Sequence, residues 1–122
     1  MTKSPKKALG FHFLIELFDC DKITLKDVKS IESAMNNAIH ISGATEVGRI
    51  FHEFSPHGIS GVILISESHF SIHTWPEYAY AAVDLFTCNK KLNIEAAYQQ
   101  LTTDLKAKRA SIKKIDRGIG AI

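Results

Sequence analysis

The stretch "SGVILISESHFSIHTWPEYAYAAVDLFTC", Ser60 to Cys88, decides the fold. Its first run, Ser60 to Ser66, is apolar on both faces, as a central strand is. From His69 to Trp75 the pattern alternates: Phe70 and Ile72 point one way, and His69, Ser71 and His73 the other. Pro76 ends that run. The third run, Tyr78 to Cys88, alternates so that Cys88 shares a face with Asp84 and Phe86. The links between these runs are hairpin-like, so the strands they join are antiparallel neighbours.

Upstream, "TEVGRIFHEF" (Thr45 to Phe54) alternates like a strand, and "SPHG" breaks it. Before it, Leu25, Val28, Ile31, Met35, Ala38 and Ile39 recur at helical spacing, with Thr24 as N-cap, Asp27 three residues on, and Gly43 at the C-cap. Leu9 to Phe18 reads as a strand. Downstream, Asn93 caps a second helix whose stripe is Ile94, Ala97, Tyr98, Leu101 and Leu105, and "ASIKKID" closes as a last strand. The expected fold is α+β: a two-layer sandwich, a largely antiparallel sheet with two helices on one face. Phe51, Phe54, Phe70 and Phe86 in the strands lead us to expect that a sheet face or edge meets a second copy.

The chain has 122 residues, which argues for one domain, long enough to bury about two thirds of its unfolded surface. Lys+Arg total 15 against 13 for Asp+Glu, a balance too even to imply a nucleic-acid partner. The basic residues gather at Lys3 to Lys7 and Lys106 to Arg117, read as solvated ends. Cys20 and Cys88 make no disulfide scaffold. The N-terminus has no signal-peptide pattern and no apolar run approaches ~18 residues, so a soluble, cytoplasmic setting without membrane contact is expected.

Three constellations carry chemistry. His69 and His73 have zinc-like spacing for a helix, but on a strand they stand too far apart for one ion and no ligand cluster completes the set, so no metal is expected. Cys88, His73 and Asp84 supply the types for a thiol nucleophile without any recognised local signature, and a structural cysteine is commoner. Cys20 is read as packing. Glu67-Ser68 lies in a turn between two apolar strands, where a strained peptide bond can meet an adjacent hydroxyl.

Together, "GISGVILISESHFSIHTWPEYAYAAVDLFTC" from Gly58 and "FHEFSPHGISG" from Phe51 resemble the core motifs of the small prokaryotic pyruvoyl-dependent S-adenosylmethionine decarboxylases. "GFHFLIELFDC" resembles their first strand more loosely. The resemblance implies a proenzyme that cuts itself between Glu67 and Ser68, into residues 1–67 (β chain) and 68–122 (α chain). Ser68 becomes a pyruvoyl group that holds the substrate amine as a Schiff base and acts as electron sink. It also implies His73 as proton acceptor in processing, helped by Ser60, and Cys88 as proton donor in catalysis. A neutral imidazole can take a proton, and a free thiol, mainly protonated at neutral pH, can give one. Phe54 and Trp75 fall where the family stacks adenine, and Glu77 where it meets the ribose hydroxyls. The substrate implied is S-adenosylmethionine, the product an aminopropyl donor for spermidine synthesis, and the assembly a homodimer with sites built from both protomers. Two other readings stand beside it: the same machinery acting on arginine or ornithine, and a non-catalytic partner domain of the same fold.

Overall fold

A computed structural model describes residues 7–122, so of the N-terminal basic stretch Lys3 and Lys6 lie outside the described residues. In chain order come β1 (Gly10–Phe18), α1 (Lys22–Lys26), α2 (Val28–Ser42), β2 (Glu46–Glu53), β3 (Ile59–Ile65), β4 (Ser68–Trp75), β5 (Tyr80–Thr87), α3 (Ile94–Asp104) and β6 (Arg109–Arg117), with a 3-10 turn at Pro76–Tyr78. The six strands form one sheet in the order β2-β3-β4-β5-β1-β6, and every neighbouring pair is antiparallel. The α+β sandwich is as expected, with one helix more than the two foreseen.

The extra helix comes from the segment read as one. Asp27 has extended backbone (φ −97°, ψ 110°) and splits it, ending α1 and capping α2. Thr24 is not the cap. Its amide and hydroxyl donate to Asp21, at 3.0 and 2.6 Å, and Asp21 caps α1. Those two bonds favour the ionised carboxylate and hold the Asp21 carboxyl below its ordinary range. Asp27 repeats the device on Ser30. At the far end, Gly43 takes the left-handed conformation (φ 84°) and its amide bonds back to Ile39 and His40, the expected C-cap.

Period-2 alternation sorts the strands. Ile15, Leu17, Ile59, Ile63, Phe70, Ile72 and Leu85 face the helices and are fully buried against Leu25, Ile31, Met35, Leu101 and Leu105. Burial of this kind is worth roughly 1.5–3 kcal/mol per side chain before entropy is counted. The one buried hydroxyl at the α1 end is satisfied twice: Thr74 Oγ1 accepts from the Ile59 amide and donates to the Leu25 carbonyl, both at 3.0 Å. Phe70 therefore belongs to the core rather than to a face meeting another copy. Phe51 likewise packs on the helix side, its ring so close over Gly61 that a Cβ there would lie 2.2 Å from it.

The other sheet face carries no layer of its own in the protomer. Ile50 is 71% and Leu64 53% exposed, so the β3 run that reads as apolar on both faces is covered on only one. Toward the opposite edge Leu14 and Ile115 are also exposed. Between these apolar flanks runs a polar band with His12, His69, Ser71 and Asp84 in it.

Candidate active site

The turn from β3 to β4 places Glu67 next to the first residue of β4, Ser68. Ser68 has φ of 145°, a conformation that residues with a side chain rarely adopt and that costs on the order of 1–3 kcal/mol. The Glu67 carbonyl ahead of it accepts the Cys88 amide at 3.2 Å, and the Cys88 thiol lies 3.8 Å from the same oxygen. A donor aimed at a carbonyl oxygen polarises it and stabilises negative charge that develops there. Thr87 steadies the loop by accepting the Asn89 amide at 2.9 Å.

Glu67 is also gripped from upstream, where Thr45 accepts the Ser66 amide at 2.8 Å and donates its own amide to the Glu67 carboxylate at 3.3 Å. Both bonds tie the carbonyl side of the Glu67–Ser68 bond to the start of β2. If the chain cuts itself here as the sequence resemblance implies, replacing Glu67 by Ala is expected to slow that cut about tenfold, whereas Glu67→Gln, which keeps an acceptor oxygen, stays within about threefold of wild type. Band intensities on a denaturing gel against time measure both rates.

His73 stands at the opposite end of β4. Its Nδ1 lies 2.7 Å from the Ser60 hydroxyl, across the β3–β4 ladder. In the tautomer whose Nδ1–H donates to Ser60, Nε2 keeps its lone pair, as a general base requires; in the other, the Ser60 hydroxyl donates to Nδ1. Around this pair, Phe54, His57, Trp75 and Glu77 line a cavity of about 240 Å³. Phe54 is 49% and Trp75 40% exposed. The Phe54 amide bonds to the Gly58 carbonyl at 2.8 Å and closes the loop that presents the ring, and His57 Nε2 lies 3.5 Å from a Glu77 oxygen.

Within one protomer the predicted residues thus form two groups. Glu67, Ser68 and Cys88 meet at one end of the sheet, and Phe54, Ser60, His73, Trp75 and Glu77 at the other. Five steps along the strand take Ser68 to His73, on the order of 16 Å at ~3.3 Å per residue. A Cys88–His73–Asp84 triad does not form: Asp84 instead bonds to Ser71 and, at 2.7 Å, to His12 Nε2. Cys20 is buried, and burial, with Asp19 adding to it, pushes its thiol up to about 11, which suits packing and not reactivity.

Three ligand-type atoms of His12, His69 and Asp84 lie within 4.8 Å of one another. These residues were not singled out as a group from sequence, because strand order is needed to place β1 beside β5. The trio has the donors for a divalent ion, but the Arg117 guanidinium sits 3.2 Å from the outer nitrogen of His12. A metal-bound imidazole needs an acceptor facing that nitrogen, and here a donor faces it, so the arrangement fits a His12 Nε2–H to Asp84 hydrogen bond better than metal ligation. A larger cavity, about 420 Å³, lies on the helix side beside Lys90 and Lys114 and contains none of the predicted site residues.

Comparison with known proteins bears on this geometry. A family model described as S-adenosylmethionine decarboxylase matches residues 11–118. The S-adenosylmethionine decarboxylase proenzyme of Thermotoga petrophila is 50% identical over 112 residues, covering 92% of this chain and 86% of that one. The proenzyme of the same name from Pseudomonas paraeruginosa is 47% identical over 116 residues, with 95% and 72% covered. Among solved structures, the adenosylmethionine decarboxylase of Aquifex aeolicus superposes with a TM-score of 0.84 at 35% identity, covering 93% of each chain.

Proposed function

The chain belongs to the S-adenosylmethionine decarboxylase family, and from that premise we propose that it decarboxylates S-adenosylmethionine with a pyruvoyl group made from its own Ser68. The observation that carries the reading is the Glu67–Ser68 bond itself. Its carbonyl oxygen accepts the Cys88 amide, and the next residue is a serine held at φ of 145°. In the proposed processing the Ser68 hydroxyl adds to the Glu67 carbonyl and expels the amide nitrogen, giving an ester. The Cys88 amide stabilises the oxyanion that forms on the way. His73 then removes the Ser68 α-proton, and elimination frees the Glu67 carboxylate. Water converts the remaining dehydroalanine to a ketone and ammonia leaves, so the mature protein is a 1–67 and 68–122 pair within one domain.

A pyruvoyl group supplies an electrophilic carbonyl that captures the substrate amine and takes up the electron pair released with carbon dioxide. Cys88, on an exposed turn beside that position, returns the proton to carbon. Phe54 and Trp75 stack the adenine and Glu77 accepts the ribose hydroxyls. The product is an aminopropyl donor for spermidine formation.

Two facts favour a homodimer whose sites take residues from both protomers. The processing base lies on the order of 16 Å from its serine along one strand. The substrate cavity of about 240 Å³ falls below the ~300–1,000 Å³ usual for a small-molecule site. Two open sheet faces packed about a two-fold axis that runs between them, perpendicular to the β4 strands, would cover Ile50, Leu64 and Leu14, and with the two β4 strands antiparallel the Ser68 end of one would face the His73 end of the other. No metal is required by this chemistry. Among the described residues no helix is long and apolar enough to cross a membrane.

Relatives named for S-adenosylmethionine give no support to the arginine or ornithine reading. Carbon dioxide release from each of the three compounds tests it directly: release from S-adenosylmethionine is expected to exceed the other two by at least about a hundredfold. Equal or greater release from arginine or ornithine defeats the assignment.

A further inference from the structure

Trp75 is the only tryptophan of the chain, and its ring does not stand alone. Tyr80 lies directly opposite it in the β4–β5 ladder, with ring centroids 5.4 Å apart and planes 34° from parallel. Tyr80 stacks in turn on Phe18 of β1, at 5.4 Å and 30°. The Arg109 guanidinium of β6 covers Phe18 at 4.7 Å and is itself held by Asp19 at 2.9 Å. Four strands therefore contribute to one stacked row that ends at the cavity. The Tyr80 hydroxyl sits 2.7 and 2.8 Å from the two Glu16 carboxylate oxygens, so the middle ring is tied at its tip as well as its faces.

We propose that Tyr80, held by Glu16, is a positioning residue that presents the Trp75 ring to the purine of the substrate. Tyr80 does not line the cavity, whereas Trp75 does. Its effect on the ligand therefore runs through Trp75. A ring already held in its stacking orientation loses less rotational freedom when a purine docks on it, and preorganisation of that kind appears as affinity. Burial first, and then the Glu16 bond, push the Tyr80 hydroxyl up to about 12, so it remains a donor at neutral pH. The row also links the substrate cavity to β6, the basic C-terminal strand whose exposed residues otherwise have no part in the site.

This inference rests on the reading that Trp75 stacks adenine, and the test separates the two. The probe is 5′-methylthioadenosine, which carries adenine and ribose but no amine to react, titrated calorimetrically into the matured protein while Trp75 emission is recorded. Tyr80→Ala is expected to weaken binding about tenfold and to shift the emission to the red. Tyr80→Phe and Glu16→Ala, which each break the tie and keep the neighbouring rings, weaken it about threefold. Glu16→Gln, which keeps an acceptor oxygen, restores wild-type binding. KM for S-adenosylmethionine rises in parallel while kcat stays within about twofold. If Trp75→Ala weakens binding but Tyr80→Ala, Tyr80→Phe and Glu16→Ala all bind like wild type, the positioning role is overturned and the stacking stands. If Trp75→Ala also binds like wild type, the stacking itself is overturned. Should Tyr80→Ala fail to fold, Tyr80→Phe and Glu16→Ala decide the matter alone.

Discussion

A Ser68→Ala chain is expected to stay whole and to release no carbon dioxide from S-adenosylmethionine. Alanine at this position keeps the same backbone demand, φ of 145° with a Cβ attached, and loses only the hydroxyl. The fold and the Cys88 contact to the Glu67 carbonyl are therefore retained, and any loss reports on chemistry. Wild type should give two bands, of 67 and 55 residues (122 − 67), and the variant one of 122. Without the hydroxyl there is no acyl shift, no elimination and no ketone, so the rate falls to the uncatalysed background, a drop of at least about 10⁶-fold. Two bands from Ser68→Ala, or measurable turnover, would remove the basis of the proposed function.

The second large effect is recovery by mixing. Ser68→Ala and His73→Ala chains should each remain uncut when expressed alone. Expressed together, they pair at random, and about half of the dimers are mixed. In a mixed dimer with sites shared between protomers, one site has both the serine of the His73→Ala chain and the histidine of the Ser68→Ala chain. About half of the His73→Ala chains are then cut and every Ser68→Ala chain stays whole. Sites complete within one protomer give no cutting at all. The separation of Ser68 from His73 along β4 makes the first outcome the expected one. Denaturing gels with one chain carrying a tag tell the products apart, and an absence of cutting would refute the shared site.

Much of the fold could be read from residue patterns. Alternation through His69–Trp75 put Phe70 and Ile72 on one face but did not say which, and Phe70, expected to meet a second copy, lies instead in the core; Gly43 and Asn93 mark helix ends as their chemistry suggests. The first helical segment misled because Asp21, Thr24 and Asp27 are all good caps spaced three apart, and only the tertiary fold shows that two of them act. The site was legible as a set of residue types but not as a place. Counting from Ser68 to His73 already shows five positions and opposite strand parity, a warning that one chain does not bring them together. The Asp84 partners could not be foreseen. Pairing of His12 with Asp84 follows from β1 entering the sheet between β5 and β6, a long-range choice that no local pattern encodes. Tyr80 and Glu16 escaped for the same reason.

The β3–β4 hairpin has one more implication. Under the proposed processing, cutting its tip would sever the covalent link but leave six opposed positions, from Ser60↔His73 to Ile65↔Ser68, with β4 still zipped to β5 on its other side. The ripened molecule is then two polypeptides threaded through one sheet, assembled while they were still a single chain. Heat or denaturant that parts them turns a first-order refolding into a bimolecular search between fragments that never met as strangers. Its endurance in use is therefore governed by how slowly it comes undone, since the path by which it was made closes behind it.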